Sequence, residues 1–235
     1  MSRSDGAAGG AESLRRYRIR GVEVSVVDTP ESIATDIIAA ELESDVYGVG
    51  EVPFAAGDQV IDIGAHVGMF CIYLAKRHPE VAITAFEPDP VNFRHLQANL
   101  ARNGVSSVRA VPRAVTADGR AFPMWAPGHN SGGAGGYYRC TEGFRRSVVD
   151  SCTLSGILDG YGIGRCRLLK IDCEGAEHEI LRDEDALRRI EWLAGEFHTN
   201  AVLRDRGCTI EALWTAVARH FPPPRMHVST VSMGE

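Results

Sequence analysis

The chain has 235 residues, 44% of them hydrophobic and 24% charged, with a formal net charge of −6. That length and apolar content suit one large domain around one core. The acidic balance gives no support to nucleic-acid or anionic-membrane partners, and no apolar run approaches the roughly 18 residues that a spanning helix needs.

Cysteines stand at 71, 140, 152, 166, 173 and 208, with neither C-x-x-C nor zinc-finger spacing. They read as reduced, mostly structural thiols. The N-terminal "MSRSDGAAGGAES" lacks an apolar signal-peptide core, so a cytoplasmic protein is expected. Residues 1–16 read as a disordered tail and 17–235 as one domain, with 17–56 as a strand and helix extension. Arg15, Arg16, Arg18 and Arg20 form a basic run read as a solvated edge. "YRIRGVEVSVVD" (17–28) alternates and predicts a strand or small hairpin turning at Gly21. "TPESIATDIIAAELES" (29–44) predicts a helix with Thr29 as N-cap, Pro30 at N1, and Ile33, Ile37, Ile38 and Leu42 at helical spacing.

"GDQVIDIGAHVGMFCIYLAKRHP" (57–79) reads as strand, glycine turn, helix. A short strand follows at 81–90, then a helix at 89–104 capped by Asp89 with Pro90 at N1, then a third strand at 107–115. This βαβαβ order predicts a mostly parallel sheet with helices on both faces. In the turn, Gly64 and Gly68 let a ligand approach the backbone in front of a helix N-terminus. Residue 66 is His, so the dinucleotide pattern G-x-G-x-x-G is absent. Asp62 suits a ligand bearing an ammonium group better than a pyrophosphate. Glu87, ending the second strand, suits ribose hydroxyls. Together these residues favour S-adenosylmethionine over NAD.

"FPMWAPGHNSGGAGGYYRCTEGFRRS" (122–147) is too rich in glycine for regular structure and reads as a long loop or short hairpin, a candidate lid. Trp125, Tyr137 and Tyr138 are its candidate acceptor contacts. "LLKIDCEGAEHEIL" (168–181) runs from a buried strand into acids, with Asp172 and Glu174 at the ligand edge and Glu177 and Glu179 read as helix-dipole acids. In "GEFH", Glu196 and His198 share one face of a strand. A helix at 209–221 and a strand at 225–231 complete the chain.

The motifs "GDQVIDIGAHVGMF", "AFEPDPVNFRHLQANLARN", "LLKIDCEGAEHEIL" and "GEFH" resemble those of FkbM-type S-adenosylmethionine-dependent methyltransferases, in the family's order over roughly residues 41–198. The resemblance implies a class I methyltransferase Rossmann-like fold with a terminal antiparallel strand. It also implies O-methylation of sugars or secondary metabolites, including antibiotics. Carried over, Asp62, Gly64, Ala65 and Gly68 line the methionine part of the cofactor. Glu87 holds the ribose beside Pro88 and Asp89, and Ala114 falls at the adenine. Asp172 borders the transferring methyl, Glu174 the acceptor. His66 stands where the family commonly has Asn and is counted among the cofactor contacts; Ser155 stands where an Asp often follows Leu154.

Methyl transfer is an in-line displacement, and a general base helps an alcohol acceptor by roughly 10²–10⁴. His198 or Asp172 is the expected base, with Glu196 orienting the imidazole. No resident metal is expected; a metal-assisted variant, with a divalent ion on Asp172, Glu174 and Glu196, ranks second. An NAD-dependent oxidoreductase and a non-catalytic cofactor-binding module are the other rivals. The expected partner is a small-molecule acceptor, and the oligomeric state, a homodimer included, is left open.

Overall fold

The structure is a computed structural model and describes residues 12–138 and 141–233. The expected tail therefore falls outside the described residues over 1–11, as does Cys140. Chain order is β1 (Ser13–Ile19), β2 (Val22–Asp28), α1 (Ala34–Glu43), β3 (Gln59–Ile63), α2 (Met69–Arg77), β4 (Ala82–Phe86), α3 (Pro90–Arg102), β5 (Val108–Val111) and β6 (Ala114–Val115). It continues through β7 (Phe122–Pro127), β8 (Phe144–Val149), β9 (Ser151–Cys152), α4 (Leu154–Gly160), β10 (Cys166–Ile171), α5 (Glu177–Ile180), α6 (Glu184–Leu187), β11 (Ile190–Thr199), α7 (Ala201–Asp205), α8 (Ile210–Ala218) and β12 (Met226–Ser232).

The central sheet has six strands in the order β12-β11-β10-β3-β4-β5. Its strands alternate between two cores. Val60, Ile83, Leu168 and Ala194 face α2, α3 and the β1–β2 hairpin. Ile61, Ile63, Leu169, Ile171 and Phe197 face the side covered by α4 to α8. Burial on both faces is why β3 and β10 read as nearly continuous apolar runs. Strand order reverses between β3 and β10, which opens a crevice at their carboxyl ends.

Every pairing in this sheet is parallel, including β11 with β12. The expected antiparallel terminal strand is therefore corrected. The connection after β11 holds α7 and α8, which carry the chain back across the sheet so that β12 re-enters in the same direction.

Three other boundaries differ from expectation. β1 begins at Ser13, so ordered structure starts inside the expected tail. α1 starts at Ala34, not beside Thr29: Asp28 Oδ1 accepts the Thr29 N–H at 2.7 Å, and Ser32 Oγ accepts the Ala34 N–H at 3.2 Å, so 29–33 form a turn. The third strand breaks after Val111, where Pro112 has no N–H for the ladder, and Ala114–Val115 pair instead with Ser151–Cys152. α3 forms as read, with Asp89 accepting from the Val91 and Asn92 N–H groups. The 122–147 segment is a β7–β8 hairpin whose long connection holds a 3-10 turn, Ser131–Gly133.

Candidate active site

A cavity of about 570 Å³ opens at the carboxyl ends of β3, β4, β10 and β11. Its floor is the turn after β3. Gly64 has φ +80°, and a Cβ there would sit 1.8 Å from the carbonyl oxygen of Asp172. The two strand ends at the switch point touch only because residue 64 has no side chain.

Glu87, Pro88, Ala114, Ala65 and His66 all line this cavity. Glu87 is 4% exposed; its Oε2 accepts the His66 N–H and its Oε1 the Asp89 N–H, each at 2.8 Å. Those two bonds use two of roughly four lone-pair sites and leave the others for hydroxyl donors in the cavity. Burial pushes its pKa up to about 8, a strain that such donors relieve. His66 has φ +53°; its Nε2 lies 2.6 Å from Ser131 Oγ, while its buried Nδ1 has no hydrogen-bond partner among the described residues. An orphaned buried acceptor on a cavity wall and a carboxylate with spare lone pairs both fit an adenosine-bearing ligand.

Two expected cofactor residues lie elsewhere. Asp62 is fully buried behind the wall. Its Oδ1 is 3.3 Å from Lys170 Nζ and its Oδ2 accepts from Cys71 Sγ at 3.0 Å, so its carboxylate is turned toward Lys170 and does not line the cavity. Gly68 is the N-cap residue of α2; a Cβ there would meet Leu96 Cδ1 at 2.5 Å, so its smallness serves the approach of α3.

The other end of the cavity is acidic. Asp172, Glu174, Glu196 and His198 all line it. β10 and β11 pair with Ile171 opposite Gly195, so Asp172 and Glu196 follow side by side, and His198 lies two residues further along the same face. His198 is 2% exposed, and its Nε2 lies 3.8 Å from Asp172 Oδ1, 3.9 Å from Glu174 Oε1 and 3.6 Å from Glu196 Oε2. The imidazole is oriented by Glu177, not by Glu196: Glu177 Oε1 is 3.0 Å from His198 Nδ1. Glu177 also accepts the N–H groups of Cys173 and Gly175, so a residue read as a helix-dipole acid is a fully buried tertiary anchor. Glu179 likewise turns away from that role, accepting from Arg120, Tyr137 and the Ala117 N–H.

Crowding sets the charges. Burial pushes Glu174 up to about 8, and burial with the Asp172 charge pushes Glu196 up to about 7. Burial works against a charged His198, but the Glu177 carboxylate and its neighbours outweigh it and raise the imidazole to about 10. Lys170, 4% exposed in the middle of an apolar strand, links the two ends of the site. Its Nζ donates to Gly64 O at 3.0 Å and lies 3.5 Å from Asp172 Oδ2. Sequence reasoning missed it; a lysine inside "LLKID" was the available signal.

The β7–β8 hairpin forms one wall, through Met124 of β7, Phe144 of β8 and Tyr138 of the connection. Trp125 and Tyr137, expected against the acceptor, are not on that wall. Trp125 bridges Gly135 through backbone hydrogen bonds, and Tyr137 donates to Glu179 at 2.8 Å under the Arg206 guanidinium. The loop is tied down by Ser131, whose Oγ donates to Asp28 at 2.9 Å and whose carbonyl accepts from Asn92 at 2.8 Å.

A parallel sheet with its crevice at the switch point, an acid at the end of β4 and a glycine turn define a Rossmann-like site for a nucleoside-bearing ligand. The methyltransferase FkbM domain profile matches residues 62–211, and the chain belongs to that family. It is 32% identical over 203 residues to the 31-O-demethyl-FK506 methyltransferase FkbM of Streptomyces tacrolimicus, covering 68% of this chain and 76% of that protein. Methyltransferase sdnD of Sordaria araneosa is 28% identical over 205 residues, 69% of this chain and 78% of that one. Among solved structures, the precorrin-6y C5,15-methyltransferase of Geobacter metallireducens GS-15 aligns at 16% identity with a TM-score of 0.43, over 77% of this chain and 71% of that one. The protein is an S-adenosylmethionine-dependent methyltransferase with a class I Rossmann-like fold.

The His66 environment has a consequence for stability. Burial lowers its pKa from 6.5 to about 4. Below pH 6.5 the unfolded chain takes up a proton that the folded one refuses until about pH 4, so this residue's contribution is complete above pH 6.5 and falls with pH. Urea unfolding at pH 7 and pH 5 should show His66→Asn losing less stability on acidification than the wild type, by as much as about 2 kcal/mol. Equal losses would contradict the buried neutral imidazole.

Proposed function

We propose that this methyltransferase O-methylates a hydroxyl on an apolar small molecule, a secondary metabolite or its sugar, and that it does so in the cytoplasm. The observation that carries this reading is one cavity with two unlike ends. Asp172, Glu174, Glu196 and His198 converge beside β10 and β11, Glu87 lies across β3 at the end of β4, and apolar side chains including Ile38, Met124, Phe144 and Val231 line the same cavity. The relative named for 31-O-demethyl-FK506 supports an oxygen acceptor.

Bound S-adenosylmethionine supplies an activated methyl group. The residues of the chain then have three tasks. Glu87 would hold the nucleoside end, and the Gly64 turn would line the methionine part on the side of Asp172. The apolar wall, with the Tyr138 ring, excludes water and orients the acceptor. Asp172 receives the acceptor's proton, because it is the cluster member that directly borders the glycine turn, through its own carbonyl against Gly64. His198, locked by Glu177, holds the carboxylates around that position. The hairpin loop is part of the same proposal, as the wall that selects the acceptor.

Purified protein incubated with S-adenosylmethionine and a panel of hydroxylated and amine-bearing glycosides and polyketides tests the reading, with products assigned by NMR. New methoxy groups are expected. Methylation confined to amine nitrogens would overturn it.

A further inference from the structure

The distances around His198 Nε2 carry a meaning beyond charge. Three carboxylate oxygens stand 3.6–3.9 Å from it, and Nε2 makes no hydrogen bond among the described residues, although His198 is only 2% exposed. These separations are too long for hydrogen bonds. They are the spacing of atoms that share one ion: ligands at about 2.1 Å from a metal lie about 3–4 Å from each other. One ligand atom each from Asp172, Glu174 and His198 fits within 4.8 Å of all the others. The far side of the ring is prepared in the same sense. Nδ1 is engaged by the fully buried Glu177 at 3.0 Å, the outer-shell carboxylate that orients Nε2 toward a metal, whose binding displaces any proton there.

We propose that Asp172, Glu174 and His198 bind a first-row divalent metal ion at the acceptor end of the cavity, with Glu196 beside it. One imidazole nitrogen with hard carboxylate oxygens suits Mn²⁺, Fe²⁺ or Zn²⁺ better than Ca²⁺. Three protein ligands leave open positions facing the cavity, where an acceptor hydroxyl is polarised by the ion. Asp172 Oδ1 faces the ion, while Oδ2 lies on the Lys170 side and remains for the proton. The oxygen–hydrogen bond breaks toward Asp172, the oxygen–carbon bond forms, and the carbon–sulfur pair returns to sulfur as the thioether leaves. This role rests on the proposed methyl transfer to a hydroxyl; the ion site itself rests on the geometry.

Protein without a histidine tag, stripped with EDTA and desalted, is titrated with Mn²⁺ and followed by electron paramagnetic resonance. The expected result is one bound ion per chain, with nitrogen modulation from a coordinated imidazole. Glu174→Gln and Asp172→Asn, checked for folding by circular dichroism, should each weaken binding by at least about tenfold, and His198→Gln should lose the nitrogen signal. No binding at millimolar Mn²⁺ or Zn²⁺, binding without nitrogen modulation, or undiminished affinity in the folded variants would overturn the site. Calorimetry with S-adenosylhomocysteine on the same stripped sample separates the two readings. Thioether binding without metal binding removes the ion and leaves the methyltransferase; metal binding without thioether binding does the reverse.

Discussion

Asp172→Asn should lower turnover with a hydroxyl acceptor by about 10²–10⁴-fold while S-adenosylhomocysteine affinity changes by no more than a few fold. The split is expected because Asp172 touches the Gly64 turn only through its backbone, whereas its carboxylate faces His198. The substitution keeps the shape and removes the negative charge, so the missing interaction belongs to the transition state. Stopped assays at saturating substrates give the turnover, and calorimetry gives the affinity. Turnover within a few fold of wild type would leave alignment of the two substrates as the only catalytic device.

Lys170→Met should cost the fold about 3–5 kcal/mol in urea unfolding, because it leaves a buried carboxylate without its cation. Asp62 is fully buried and Lys170 lies 3.3 Å from it, so the charge has no water to turn to. Burial opposes charge on Lys170, yet the Asp62 and Asp172 carboxylates together raise its pKa. Replacing both members, Lys170→Met with Asp62→Leu, should recover most of the loss, because the desolvation cost of two ions disappears with them. A loss below about 1 kcal/mol for Lys170→Met alone would contradict the pairing.

Much of this site is legible in the sequence because the residues lie at strand ends. The stop of an apolar run marks where a parallel strand reaches the crevice, and that rule points to Glu87, Asp172 and Glu174, whereas Glu196 and His198 lie inside β11, on the stretch that runs past its last pair with β10. It misplaces Asp62, which lies inside the strand and points into the layer of Lys170 and Cys71. Glu177 shows a second limit. An acid in a first helical turn satisfies the dipole argument wherever its side chain goes, and only the tertiary structure reveals that it closes on His198. The Ser131–Asp28 bond joins residues 103 positions apart, through a loop with no periodicity to read. Aromatics in a glycine-rich segment invite a binding role, but the Trp125 ring lies under the Arg146 guanidinium and the Tyr137 hydroxyl donates to Glu179. The direction of β12 was beyond any strand pattern, since "RMHVSTV" alternates identically whichever way it runs, and the α7–α8 crossover decides it.

On the proposed reading, one cavity holds the methyl donor by its nucleoside at Glu87 and presents its methyl to the acids of the β10–β11 edge. Isothermal titration of S-adenosylhomocysteine into wild type and Glu87→Ala tests it most directly. Wild type should bind the thioether far more tightly than NAD, and Glu87→Ala should lose about 1–3 kcal/mol of binding, the cost of leaving buried hydroxyl donors without their acceptor. Unchanged affinity in a folded Glu87→Ala, or NAD binding tighter than the thioether, would contradict it.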